Sequence, residues 1–147
     1  MSFYFAFFHF YTIIYDIGSD YMNIYESAED YLERILIITK EKGKVISLDI
    51  AKSMNYSKPS ISRAMKNLKI DGYILIDDLG YITLTEKGYE IASRIYERHV
   101  LLAKYFVSLG VSPDIALADA CKVEHDLSDE TFEAIKKHAN LYNNEQK

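Results

Sequence analysis

The stretch "SLDIAKSMNYSKPSISRAMKNLKIDG" at residues 47–72 constrains the fold more than any other part of the chain. Two short runs of helix-forming residues flank Asn55, a residue type that tolerates the left-handed backbone of a tight turn between helices. Ser47 is placed to cap the first run and Ser57 the second, since a serine hydroxyl accepts from the free N–H groups of a helix's first turn. Pro59 falls in the opening turn of the second run, where a missing N–H costs little. This is a helix-turn-helix pattern. After Gly72, "YILIDDLGYITLT" holds two β-rich runs about a turn at Asp78, Leu79 and Gly80, which predicts a hairpin. Upstream, "ESAEDYLERILIITKEKG" sets Tyr31, Ile35 and Ile38 on one stripe and predicts a first helix over roughly residues 26–41, stopped at Gly43. Three helices and a hairpin make a winged helix-turn-helix.

The remainder reads as helical. A long helix is predicted over about residues 86–109, with Ile91, Ile95, His99, Leu102 and Phe106 on one stripe and Gly110 at its end. A further helix is expected from Ser112 through about Leu127, and a last one, capped by Ser128, to about Tyr142. The expected fold class is therefore mainly α, with a winged helix-turn-helix over residues 22–88 and a helical domain over residues 89–147. Residues 1–21 stand apart: five of the seven Phe fall in the first ten positions, and the first 25 residues hold no Lys or Arg. The apolar run ends at Asp16, too short to span a bilayer, and it lacks the basic start of a secretory signal. The expectation is a non-native or disordered extension, with translation starting at Met22, and no membrane association.

Charge is segregated. The chain of 147 residues carries a net charge of −5, which by itself does not advertise nucleic-acid binding. Yet residues 42–71 hold Lys42, Lys44, Lys52, Lys58, Arg63, Lys66 and Lys69 against only Asp49 and Asp71. That is the electrostatic footprint of a DNA-reading element. Ser57, Lys58, Pro59, Ser60, Ser62, Arg63 and Lys66 start or line the second helix of the pair, where Arg and Lys meet phosphates or guanine edges and Ser meets either. The opposite expectation attaches to the wing, whose tip carries Asp77 and Asp78 where a phosphate contact would want a cation. A single Cys excludes an internal disulfide and fits a reducing cytoplasm.

Three further features carry potential chemistry. "EDYLE" puts Asp30 and Glu33 three residues apart on one helix face, His99 interrupts an apolar stripe, and "DACKVEHDLS" supplies Cys121, Glu124 and His125 at helical spacing. Taken singly, each has a plain structural explanation: solvated acids, a satisfied core histidine, a half-buried thiol. Taken together they become informative, because carboxylates, imidazoles and a thiol are all metal-ligand types. A metallohydrolase using Glu124 as base is disfavoured, because no His-Glu-x-x-His motif, phosphate-binding glycine loop or Ser/His/Asp order is present.

"SAEDYLERI", the winged helix followed by "LTEKG", "RH" at 98–99 and "CKVEHDLS" together resemble the diphtheria toxin repressor family of metal-dependent transcription regulators, over residues 24–142. The resemblance implies a DNA-binding regulator, not an enzyme, that acts as a homodimer on a palindromic double-stranded operator and controls metal-homeostasis genes. It implies Mn²⁺ or Fe²⁺ as cofactor, with Asp30, Glu33, His99, Cys121, Glu124 and His125 as ligands. The architecture is similar to the two-domain manganese-sensing branch, without the SH3-like third domain of iron sensors. Asp30 and Glu33 resemble the manganese type, whereas Cys121 resembles the iron type, so the site is a hybrid. Ala103 and Leu117 replace an acid and a His that other members carry, so the resemblance stops short of implying a second, ancillary ion. The competing expectation is a winged-helix regulator that answers to an organic ligand or to no ligand.

Overall fold

A computed structural model of the protein describes residues 27–145, so the expectations for residues 1–21 and for a start at Met22 lie outside the described residues. Helix α1 covers residues 27–42 and ends at Gly43, whose φ of 79° lets its N–H turn back onto the Thr39 carbonyl at 2.8 Å. Helices α2 (Ser47–Met54) and α3 (Lys58–Ile70) follow. Asn55 joins them at φ 56°, ψ 40°, the left-handed turn that its residue type favours. Ser57 caps α3, its Oγ accepting from the Ser60 N–H at 3.3 Å, and Pro59 sits in the first turn. The cap of α2 differs from expectation: Ser47 is already helical, and the Asp49 carboxylate instead accepts from the N–H of the N-cap residue Ile46 at 3.1 Å.

Strands β1 (Ile74–Ile76) and β2 (Ile82–Leu84) pair antiparallel with Ile74 opposite Leu84. Asp77 accounts for an acid at the wing tip, because its Oδ1 accepts from the Leu79 and Tyr81 N–H groups, both at 2.9 Å, and so builds the turn. Helix α4 (Glu86–Ser108) leaves the wing through "LTEKG". Thr85 caps it by accepting from the Gly88 N–H at 3.2 Å and donates to the Tyr73 carbonyl at 3.1 Å. Gly88 is required there: a Cβ would overlap the Tyr73 carbonyl oxygen.

Helices α5 (Pro113–Val123) and α6 (Asp129–Glu145) complete the described chain. One core joins Leu32, Ile35 and Leu36 of α1 to Ile50, Ile61, Met65, Leu68, Ile74, Ile82 and Ala92. A second, smaller core joins Leu102 and Ala103 of α4 to Ala120 of α5, with Ile135 of α6 against it. Helix α4 thus serves both cores. The α5 helix stops at Val123 and does not run to Leu127; residues 124–126 form a turn. Among the described residues no helix is long and apolar enough to cross a membrane.

Candidate metal centre and DNA-reading helix

The early end of α5 changes how its three polar residues are presented. Cys121 lies in the last helical turn, Glu124 is the C-cap and His125 follows in the turn, so they do not share one helix face. The turn nonetheless swings Glu124 and His125 between α1 and α4. Nε2 of His125 lies 2.8 Å from Asp30 Oδ1 and 3.3 Å from Glu124 Oε1. Ligand atoms of Asp30, Glu124 and His125 all lie within 4.8 Å of one another, and so do those of His99, Cys121 and Glu124. Glu124 belongs to both groups. It is 0% exposed, and its Oε2 accepts from His99 Nδ1 at 2.8 Å. Glu33 is buried nearby but falls in neither group.

The electrostatics of the cluster suit a cation. Burial, and next the charge of Glu124, push the Glu33 carboxyl up to about 7. Burial works against the His125 imidazolium, but Asp30, Glu124 and Glu29 outweigh it and hold the ring up at about 12. His99 is raised by its hydrogen bond to Glu124. Burial raises the Glu124 carboxyl, yet the two histidines leave it below its ordinary value. The thiol of Cys121, an exposed residue, is raised by partial desolvation and by the charges of Glu124, Asp30 and Glu33. A neighbouring positive ion would favour its thiolate.

Glu33 Oε1, Glu124 Oε1 and His125 Nε2 are buried and have no hydrogen-bond partner among the described residues. Nε2 is near two carboxylates yet aligned for a hydrogen bond with neither. Each such atom costs about 1–3 kcal/mol when unmatched. Carboxylates and imidazoles are donors that suit Mn²⁺ or Fe²⁺, and the thiol extends the set toward softer ions. The residues present fit a divalent ion.

Two supporting residues escaped the sequence reading. Arg98 is 5% exposed. Its Nη1 donates to the Glu124 carbonyl at 3.1 Å and the Leu127 carbonyl at 2.7 Å, and Nη2 pairs with Asp129. Arg98 thereby holds the turn that carries Glu124 and His125. Its signal was present, since Ile95, Arg98 and Leu102 recur at helical spacing and place an arginine in the buried stripe. Glu29 accepts from His125 Nδ1 at 2.9 Å; nothing in its sequence setting separates it from a solvated acid.

The cap residue Ser57 and Lys58, Pro59, Ser60, Ser62, Arg63 and Lys66 of α3 are all exposed, while Ile61, Met65 and Leu68 are buried in the core. Ser57 and Ser60 share a hydrogen bond of 2.8 Å, so both also shape the start of the helix. Lys42 is paired with Asp49 at 2.8 Å, which removes one cation from the basic surface.

Residues 23–78 match the family model described as the iron dependent repressor N-terminal DNA binding domain, and residues 85–143 match that family's metal binding and dimerisation domain. The chain belongs to the iron-dependent repressor family, whose members are metal-dependent transcriptional regulators. It is 39% identical over 113 residues to an HTH-type transcriptional regulator of Methanocaldococcus jannaschii, covering 76% of this chain and 90% of that one. It is 33% identical over 111 residues to the transcriptional regulator MntR of Escherichia coli, covering 76% and 72%. The manganese regulator SloR superposes with a TM-score of 0.68 at 31% identity over 77% of this chain. A manganese-dependent transcriptional repressor in complex with manganese does so with a TM-score of 0.67 at 29% identity, also over 77%. This chain spans about half the length of those two solved chains, 53% and 52%. The winged helix followed by a metal-binding and dimerisation domain, expected from the sequence, is thus the family's own arrangement.

Proposed function

We propose that the chain is a repressor that senses Mn²⁺ or Fe²⁺ and, as a homodimer, grips a palindromic operator more tightly when the ion is bound. The observation that carries this reading is the meeting of Asp30 on α1 with Glu124 and His125 after α5, at a point where Glu33 Oε1, Glu124 Oε1 and His125 Nε2 are buried without an aligned hydrogen bond among the described residues. Asp30, Glu33, His99, Cys121, Glu124 and His125 would hold the ion, which supplies the positive charge that the clustered carboxylates and the thiol need.

The chain's own residues turn that site into control of DNA. Asp30 and Glu33 project from α1, and Leu32, Ile35 and Leu36 of the same helix pack in one core with Ile61, Met65 and Leu68 of α3. Fixing Asp30 against the turn after α5 therefore fixes α1, and α1 carries the reading helix with it. In a two-fold dimer this sets the spacing of two α3 helices, which must match half-sites about one helical turn of DNA apart or a multiple of it. The leverage equals the difference in ion affinity between matching and mismatched arrangements. Arg63 and Lys66 then provide base-edge and phosphate contacts.

Selection from random duplexes in the presence of Mn²⁺ tests the reading. The expected product is an inverted repeat bound by two protomers. Recovery of unrelated sequences, or of one half-site bound by a monomer, would contradict it.

A further inference from the structure

We infer that Glu29 is a positioning residue for the metal centre, whose carboxylate holds the His125 ring in the tautomer and rotation that turn Nε2 toward Asp30 and Glu124. The inference rests on the metal-sensing reading above and names a residue outside the ligand set.

Glu29 Oε2 accepts from His125 Nδ1 at 2.9 Å, in aligned hydrogen-bond geometry. Glu29 Oε1 accepts from Arg94 Nη2 at 2.9 Å. The two oxygens of one carboxylate are thus divided between the turn after α5 and helix α4, which fixes the plane of the carboxylate. A neutral imidazole carries one N–H. In the neutral ring that would bind an ion, that N–H, donated to Glu29 from Nδ1, leaves the lone pair on Nε2, the atom that lies 2.8 Å from Asp30 Oδ1 and 3.3 Å from Glu124 Oε1. Glu29 and Asp30 are neighbours on α1, so consecutive residues stand at opposite nitrogens of one ring.

Both Glu29 oxygens are engaged, one by His125 Nδ1 and the other by Arg94, which separates its role from coordination. The His125 side chain is 4% exposed and that of Glu29 22%. The ring therefore has little access to water that could replace the carboxylate as acceptor. A carboxylate behind a ligating histidine fixes the ring and raises its basicity, and loss of such a partner costs about 10–100-fold in metal affinity.

The test is calorimetric titration of Mn²⁺ into the full chain and three variants, with circular dichroism of the chelated proteins as a folding control. Glu29→Ala is expected to lose about 10–100-fold in affinity. Glu29→Gln retains a carbonyl oxygen that can accept from Nδ1 and should recover most of that loss. Arg94→Ala leaves the acceptor in place and should stay well above Glu29→Ala in affinity. Wild-type affinity in Glu29→Ala would overturn the inference. So would an Arg94→Ala loss equal to that of Glu29→Ala with no recovery in Glu29→Gln, because Glu29 would then be only a strut between α1 and α4. A wild-type chain with no affinity for Mn²⁺ or Fe²⁺ would instead overturn the metal-sensing reading itself.

Discussion

Nε2 of His125, in the turn after α5, lies 2.8 Å from Oδ1 of Asp30 on α1 without hydrogen-bond alignment between them. Two groups so placed, one an acid and one a base, share either a proton or a cation. His125→Ala removes the nitrogen that Asp30 and Glu124 face, and it should lower Mn²⁺ affinity by more than the roughly 100-fold that outer-shell changes cost. The winged helix has its own core around Ile35, Ile61 and Ile74, so circular dichroism should show an intact fold. Undiminished metal binding in this variant would remove His125 from the ligand set.

Protons and metal compete at this site. His125 is held up at about 12 and Glu33 at about 7, so near neutral pH the metal-free site keeps a proton on the ring and part of one on the carboxyl. Metal uptake must release them. Mn²⁺ affinity should fall as pH is lowered through 7, and calorimetry in buffers of different ionisation enthalpy should detect the released protons.

Glu33 also sets a stability term in the metal-free protein. Its folded pKa is raised from 4.5 to about 7, so the stabilisation is fully present below 4.5 and is lost as pH rises through 7. Glu33→Gln removes a charge that burial penalises. It should raise metal-free stability at pH 8 by roughly 1–3 kcal/mol, leave it nearly unchanged at pH 4, and weaken metal binding. Denaturant melts with chelator at the two pH values measure this, and an equal effect at both would contradict the assignment.

How legible these features were in the sequence depends on how local their causes are. Asn55, Ser57 and Pro59 announce the turn and the start of α3 because caps and left-handed positions are set by one or two residues. Helix α5 ends at Val123, four residues before the Leu127 end that its spacing predicts. Glu124 and His125 keep helical spacing to Cys121, but the buried Arg98 takes the Glu124 and Leu127 carbonyls and holds the chain in a turn. That partner sits 26 residues away and leaves no mark on the local pattern. The same holds for Glu29, whose bond to His125 spans 96 residues. The six candidate ligands were recognisable only through the family resemblance. The structure groups five of them, while Glu33 stays beside the groups as a buried, partly protonated acid.

Gly88→Ala probes the junction of the wing with α4. The added Cβ would meet the Tyr73 backbone oxygen, which cannot rotate away as a side chain would. Overpacking of this kind costs about 1–3 kcal/mol. The thermal midpoint should drop, and an unchanged midpoint would show that α4 is free to move off β1.

Cys121→Glu should shift metal preference. The exposed thiol faces Glu124 and His99, so a carboxylate there gives an all N/O donor set and moves relative affinity from Fe²⁺ toward Mn²⁺. Competition between the two ions under anaerobic conditions reads this directly. An unchanged ratio would place the sulfur outside the coordination sphere.

The reading helix yields a contrast between two exposed cations. Arg63→Ala should weaken binding to the selected operator by about 1–3 kcal/mol and relax specificity at one position. Lys66→Ala should weaken operator and random duplex alike and lower the salt dependence. Loss of neither would mean that α3 does not enter the groove.

Metal dependence of DNA binding is the centre of the account, and fluorescence anisotropy of the selected duplex measures it most directly. The full chain would be titrated anaerobically with Mn²⁺, with Fe²⁺ and with a chelator. The ion should tighten Kd by a factor within the roughly 5–150-fold range of allosteric couplings. Equal Kd with chelator and with saturating metal would contradict the account and leave a winged-helix protein whose DNA binding answers to something other than a metal.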